Sequence, residues 1–200
     1  MKPNGKTRGF TLVEVMIVVA IIGVLAAIAV QGVERYLTAA KASEAVQAVG
    51  EISRAATAAY ERELMAAQTV GEGDLSQTAS HHLCDSALPV PTFVPTGKKY
   101  QPNTADGTDF QAGADDAGWK CLRFQITQPM YYQYNYNRGT SVVAVDNPAV
   151  CGSGECYEAG ALGDLNGNGK VSRVARTGHV NGTTHSLKAA TVVYIQNEAE

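Results

Sequence analysis

The 200 residues contain no GxSxG, no HExxH and no glycine-rich phosphate loop. The frameworks of a serine hydrolase, a zincin and a P-loop nucleotide site are therefore missing. Nor is there a basic excess: the formal net charge is −3, which excludes a strongly basic nucleic-acid binder. The cysteines form no CxxC pair. Cys151 and Cys156 are separated by Gly-Ser-Gly-Glu, and no second close pair completes a tetrahedral metal site. His81, His82, His179 and His185 lie in polar, glycine-rich sequence without helical i, i+4 spacing, and read as solvated loop residues. Nothing here supports catalysis, and no catalytic residue is assigned.

Between Phe10 and Val30 there is no lysine, arginine, histidine or proline, and one acid only: GFTLVEVMIVVAIIGVLAAIAV, residues 9–30, contains Glu14. Twenty-one residues of helix span about 32 Å, the thickness of a bilayer's hydrocarbon core. The leader MKPNGKTRG carries Lys2, Lys6 and Arg8 and no acid, so by the positive-inside rule it stays cytoplasmic and the rest is exported. The run is too long for the h-region of a secretory signal, although Ala27-Ile28-Ala29 resembles a cleavage site that would release a soluble domain. That reading and a plain membrane anchor both leave Glu14 unexplained. A carboxylate in hydrocarbon is costly, and it calls for a function and a partner.

Residues 33–65 contain no proline and are rich in Ala, Glu, Arg and Gln. Apolar positions recur at Ala42, Val46, Val49, Ile52, Ala56, Ala59 and Tyr60, a helical period with one face to bury. Residues 10–65 thus read as one helix of about 80 Å. From residue 68 the sequence turns polar and then rich in Pro and Gly, an irregular surface segment to about residue 118. Strand-like runs follow at 119–127, 130–137, 140–145, 157–165, 170–177 and 189–196, with Asn166-Gly-Asn-Gly169 as a hairpin turn. The fold class is α+β.

Cys84, Cys121, Cys151 and Cys156 lie beyond an N-terminal membrane segment, which suits disulfides in an oxidising compartment. Three connectivities exist. Cys84–Cys121 with Cys151–Cys156 is preferred, the second closing a short flexible loop and the first tying the irregular segment to the first strand. Asp164, Asn166 and Asn168 start like a calcium loop, but the twelfth position is Ala175 and not a bidentate Glu. A plain Asn/Gly turn is preferred, with weak calcium binding as the alternative; no other cofactor is expected. Tyr132, Tyr134 and Tyr136 share one strand face and read as core packing. Basic residues do not interleave with them as a base-stacking surface would require, so no nucleic-acid partner is expected.

Gly9-Phe10-Thr11-Leu12-Val13-Glu14, with its basic leader and aliphatic run, closely resembles the class III signal of type IV pilin-like prepilins. The resemblance is strong from residue 8 to about 60 and general beyond. It implies a pilin fold, in which a long N-terminal helix with a membrane-spanning first half packs on a small antiparallel sheet. It also implies cleavage by a prepilin peptidase between Gly9 and Phe10, and N-methylation of Phe10. Glu14 would then be the assembly charge, meeting the Phe10 ammonium of a neighbouring subunit. The implied layout is a removed leader (1–9), a transmembrane and filament-core segment (10–30), an amphipathic half-helix (31–65) and a disulfide-bonded head (66–200). Expected partners are further copies or other pilins, the peptidase, an inner-membrane assembly platform and the membrane itself. The head is expected in the periplasm before assembly and outside the cell after it. A type II secretion pseudopilin shares this N-terminus, and a tethered sensor or enzyme that never polymerises is the alternative from another class. Many type IV pilins have a proline where this chain has Gln31, which removes an obligatory kink.

Overall fold

The computed structural model describes residues 9–62, 81–144 and 155–198. Helix α1 runs over Leu12–Glu61, and the chain divides into two compact units, 1–38 and 39–200. Among the described residues of the first unit, nothing covers the side chains of the helix. Phe10 is 88 % exposed and Leu12 75 % exposed, and the aliphatic residues from Val13 to Val33 are exposed as well.

In the second unit the same helix has a buried face. Ala42, Ala45, Ala48, Val49, Ile52, Ala56, Ala59 and Tyr60 all lie in the core. Small residues dominate that face, which lets the helix approach a sheet closely. Complete burial of Ile52 contributes about 2–3 kcal/mol.

The sheet consists of β1 (Ala87–Val90), β2 (Gln133–Arg138), β3 (Cys156–Gly163), β4 (Ser172–Val180), β5 (Leu187–Ala189) and β6 (Tyr194–Gln196). Every pairing is antiparallel, in the order β1-β2-β3-β4-β5, and β6 also pairs with β4. Register sets large residues against small ones. Tyr134 stands opposite Ala161 and Tyr136 opposite Ala159, while Tyr157 stands opposite Gly178. A methyl group at Gly178 would run into the Tyr157 ring. The Tyr157 hydroxyl and Ser53 Oγ are 2.7 Å apart, a buried link from β3 to α1. As expected, Tyr132, Tyr134 and Tyr136 are core residues.

Two expected strands form something else. Residues 119–127 begin with a one-turn helix, α2 (Gly118–Leu122). The rings of Phe110, Trp119 and Phe124 pack on one another at 5.0–5.7 Å, and Trp119 Nε1 donates to the Leu88 carbonyl. A strand would send alternate side chains to opposite faces and break up this trio. The Cys84–Cys121 disulfide fastens α2 beside β1, as preferred from the sequence. Cys156 is also disulfide-bonded, while Cys151 lies outside the described residues.

Residues 140–145 are the other departure. Val142, Val143 and Ala144 form a strap, because their three N–H groups donate to the buried Glu158 carboxylate at 2.7–3.0 Å. No strand neighbour is needed once those donors are satisfied. Val143 sits on Gly160, where any Cβ would collide with it. The long irregular segment also holds more order than expected, since it contains β1. The run 189–196 supplies only β6 and the last residue of β5.

Candidate functional site

The residues singled out for processing and assembly lie at the start of α1. Gly9 and Phe10 precede the helix in exposed chain. Thr11 is the N-cap and Glu14 the third helical residue, and the two satisfy each other. The Glu14 carboxylate accepts from the Thr11 backbone N–H at 2.8 Å and from Thr11 Oγ1 at 2.8 Å. The Glu14 N–H donates to Thr11 Oγ1 at 3.3 Å. This is a capping box, in which two otherwise orphaned donors are satisfied reciprocally. The signal T-x-x-E is visible in the sequence, yet the motif's other reading hides it: Glu14 is a structural cap as well as a charge.

The acid also sits at the positive end of the helix dipole, which favours it. Around it lies hydrocarbon surface, since Phe10, Val15, Ile17 and Val18 form a shallow apolar groove at its side. An 18-residue window of α1 has mean hydropathy 2.9 and no buried residue, so the helix is long and apolar enough to cross a membrane. Chemically, this site offers one carboxylate on an otherwise apolar rod. Its remaining acceptor capacity is open to a cation brought by another molecule.

The possible calcium loop lies elsewhere, between β3 and β4, and its oxygens serve the backbone. Asp164 is buried, and its carboxylate accepts from the N–H groups of Gly167, Asn168 and Gly169 at 2.7–3.2 Å. Asn166 Oδ1 accepts from Asn168 N–H, and Asn168 Oδ1 from Lys170 N–H. These contacts make the hairpin turn expected from Asn166-Gly-Asn-Gly169. Among the described residues, no group of three or more His, Cys, Asp or Glu side chains is placed to hold a metal ion. The histidines do not converge either. His81 Nδ1 lies 2.9 Å from the Tyr60 carbonyl, whereas the His185 carbonyl accepts from the Tyr60 hydroxyl.

Residues 4–30 match the family model of the prokaryotic N-terminal methylation motif. The type IV major pilin protein PilA of Myxococcus xanthus (strain DK1622) is 57 % identical over 42 residues, which is 21 % of this chain and 19 % of that protein. A fimbrial protein of Moraxella nonliquefaciens is 58 % identical over 38 residues, 19 % of this chain and 25 % of its own length. The type IV major fimbrial protein FimA of Dichelobacter nodosus is 46 % identical over 48 residues, covering 24 % and 31 % of the two chains. The matched part thus spans only about a fifth to a third of these relatives. No solved structure is a significant match to the chain. Over that segment the chain is type IV pilin-like, and its helix-on-antiparallel-sheet fold is α+β and pilin-like as well.

Proposed function

We propose that this chain is a structural subunit of a type IV pilus-like filament. Cleavage after Gly9 would expose the Phe10 α-amine, which is methylated and largely cationic near neutral pH. The chain would wait in the inner membrane, with residues 10–30 in the bilayer and the head in the periplasm. An assembly platform would then add it to a fibre, and the head would come to lie outside the cell. In the fibre, Glu14 of one subunit meets the Phe10 ammonium of its neighbour. An ion pair formed in a low dielectric makes an unpaired or misplaced subunit unfavourable, which specifies axial register.

The observation that carries this reading is Glu14 on an exposed apolar helix. A membrane anchor alone would use this acid only as a helix cap, a role that does not need the charge. The capping box supplies the carboxylate with local partners and still leaves it accessible to a neighbour.

The test is the mass and location of the native protein. Intact mass should correspond to a chain beginning at N-methylated Phe10, with Lys2, Lys6 and Arg8 lost and the formal side-chain charge changed from −3 to −6. Surface fibres sheared from cells should contain it, and deletion should remove them. A mature chain beginning at Val30 would make the apolar run a secretory signal. Deletion that blocks enzyme secretion and spares surface fibres would assign the chain to a secretion pseudopilus.

A further inference from the structure

A groove of about 410 Å³ lies between α1 and the chain 125–128, a volume common among small-molecule sites. Glu44, Gln47 and Glu51 form its helix wall, at the i, i+3, i+7 spacing that keeps side chains on one face. Gln125, Thr127 and Gln128 line the other wall, and Ala48 and Ile126 add apolar surface. Hydrogen bonds hold the second wall in place. Gln111 Nε2 donates to Gln125 Oε1 at 2.6 Å, and Gln101 Nε2 donates to the Thr127 carbonyl at 2.9 Å.

The remaining lining residue is Tyr134 of β2. Its side chain is fully buried, and among the described residues its hydroxyl has no hydrogen-bond partner. Both acids of the helix wall act on that hydroxyl. Burial raises its pKa most, and Glu44, Tyr132 and Glu51 raise it further. Protein interiors rarely leave a buried phenol without a partner.

Charge limits what the groove can hold, because each acid already has a cation. Arg54 Nη2 lies 3.8 Å from Glu51 Oε1. Burial lifts the Glu44 pKa, and Lys99 draws it back. Lys99 Nζ is itself held 5.0 Å from the Tyr131 ring centroid, with Lys41 Nζ at 4.5 Å from the same ring. The groove is thus close to neutral, which favours neither an anion nor a cation.

Hydrogen-bonding capacity points the same way. Gln47 donates to Glu51 Oε1 at 3.2 Å and keeps its carbonyl oxygen, whereas Gln125 accepts from Gln111 and keeps its NH2. The carboxylates and the Gln47 oxygen need donors. The Tyr134 hydroxyl and the Gln125 NH2 need acceptors. An ammonium brings donors only, and a carboxylate acceptors only. Adjacent hydroxyl groups bring both. A sugar ring carries several at fixed spacing, and its C–H face suits Ala48 and Ile126.

We propose that this groove binds a neutral saccharide residue. Its hydroxyls donate to Glu44 and the Gln47 carbonyl on one wall, and accept from the Gln125 NH2 on the other and from Tyr134 at the floor. The Tyr134 oxygen has no open surface, so the ligand reaches it by displacing one of the exposed amides at the rim. The site lies wholly within residues 39–200 and does not depend on the filament reading.

The experiment uses the full chain in a detergent without a sugar headgroup. The probes are the methyl glycosides of glucose, galactose, mannose and N-acetylglucosamine. Saturation-transfer NMR should detect at least one of them, with a millimolar Kd by titration. About 0.5 M salt should leave that Kd within about twofold, because a neutral ligand has no charge to screen. Glu44→Gln should raise it about tenfold or more, since hydrogen bonds to a carboxylate are the stronger kind. Tyr134→Phe should raise it roughly two- to tenfold, the range of a neutral hydrogen bond. Unchanged emission of the buried Trp119 establishes that both variants are folded. Failure of every glycoside to bind at tens of millimolar overturns the proposal. So does binding that neither substitution weakens. Methylammonium, titrated in parallel, tests the competing class. If it binds, is released by salt and depends on Glu44 while the glycosides do not bind, the groove is a cation site and the saccharide assignment is wrong.

Discussion

Glu158 is wholly buried in the head, and its carboxylate accepts three backbone N–H groups from Val142, Val143 and Ala144. Glu14 stands on an exposed apolar helix, and among the described residues Thr11 is its hydrogen-bond partner. Both are carboxylates in apolar surroundings, and each is tolerated for a different reason. The head supplies Glu158 with donors from its own strap, and Val143 closes over Gly160. Among its described residues, the first unit supplies Glu14 with a cap and leaves its aliphatic side chains bare. Polar groups in apolar surroundings are tolerated only when hydrogen-bonded or paired. One region is thus finished by folding, and the other is left for further molecules to finish.

The sharpest way to break that comparison is to separate the two roles of Glu14. Glu14→Gln retains an acceptor for the Thr11 N–H, as glutamine does in a capping box, and removes the charge. Glu14→Leu removes both. If charge is what assembly needs, both variants should be cleaved, methylated and membrane-bound, and both should lose surface fibres by roughly a hundredfold, the scale set by an unpaired buried ammonium. Fibres from Glu14→Gln at wild-type abundance, counted by microscopy and in sheared fractions, would mean that the cap matters and the charge does not.

In the head the largest loss should come from the covalent tie. Cys84 and Cys121 are 37 positions apart, and in the chain-entropy model a loop of that size is worth about 3–4 kcal/mol. Cys84→Ser with Cys121→Ser should lower urea resistance by that amount, read from Trp119 fluorescence of the full chain in mild detergent. The first unit contains no tryptophan, so its helix does not contribute to the signal.

Glu158→Gln tests the strap. The amide keeps the side chain's size but has one acceptor oxygen, and its NH2 would face backbone donors. The expected loss is on the order of 2–3 kcal/mol. Proteolysis around residues 142–144 should quicken at the same time, and an unchanged cleavage rate would mean that the strap is held by Val143 packing alone.

Legibility follows the same division between the two regions. The apolar run can be read because the length and composition needed to cross a bilayer are written directly in sequence. The helical face from Ala42 to Tyr60 and the tyrosine face of β2 are readable because burial follows the periods of helix and strand. Residues 119–127 and 140–145 are not, since their apolar spacing also suits a strand. What decides them is distant in sequence: the Phe110 ring for α2 and the Glu158 carboxylate for the strap. The lysines that flank Tyr131 come from α1 and from the loop before Tyr100, and no local pattern announces that meeting.

The smallest effect should come from a hydroxyl that the head leaves unsatisfied. Burial holds the hydroxyls of Tyr132, Tyr134 and Tyr136 above the ordinary phenol range. A raised folded-state pKa contributes stability that is complete below the unfolded value, about 10, and is lost as pH rises through the folded value. Stability should therefore be level in its tyrosine contribution to about pH 10 and fall above it, by about 1.4 kcal/mol per pH unit for each tyrosine that ionises only on unfolding. Among the described residues the buried Tyr134 hydroxyl has no hydrogen-bond partner, whereas Tyr132 donates to Ser172 Oγ at 3.4 Å. Tyr134→Phe should thus change stability at pH 7 by less than about 1 kcal/mol, and in either direction, because no bond is broken. Above pH 10 the same variant should show a shallower decline, by about 1.4 kcal/mol per pH unit. Urea midpoints at neutral and alkaline pH measure both arms. A large loss at pH 7 would mean that the hydroxyl has a partner after all, such as an ordered water. An unchanged alkaline slope would mean that Tyr134 ionises while the head is still folded, so that this part of the core is open to water.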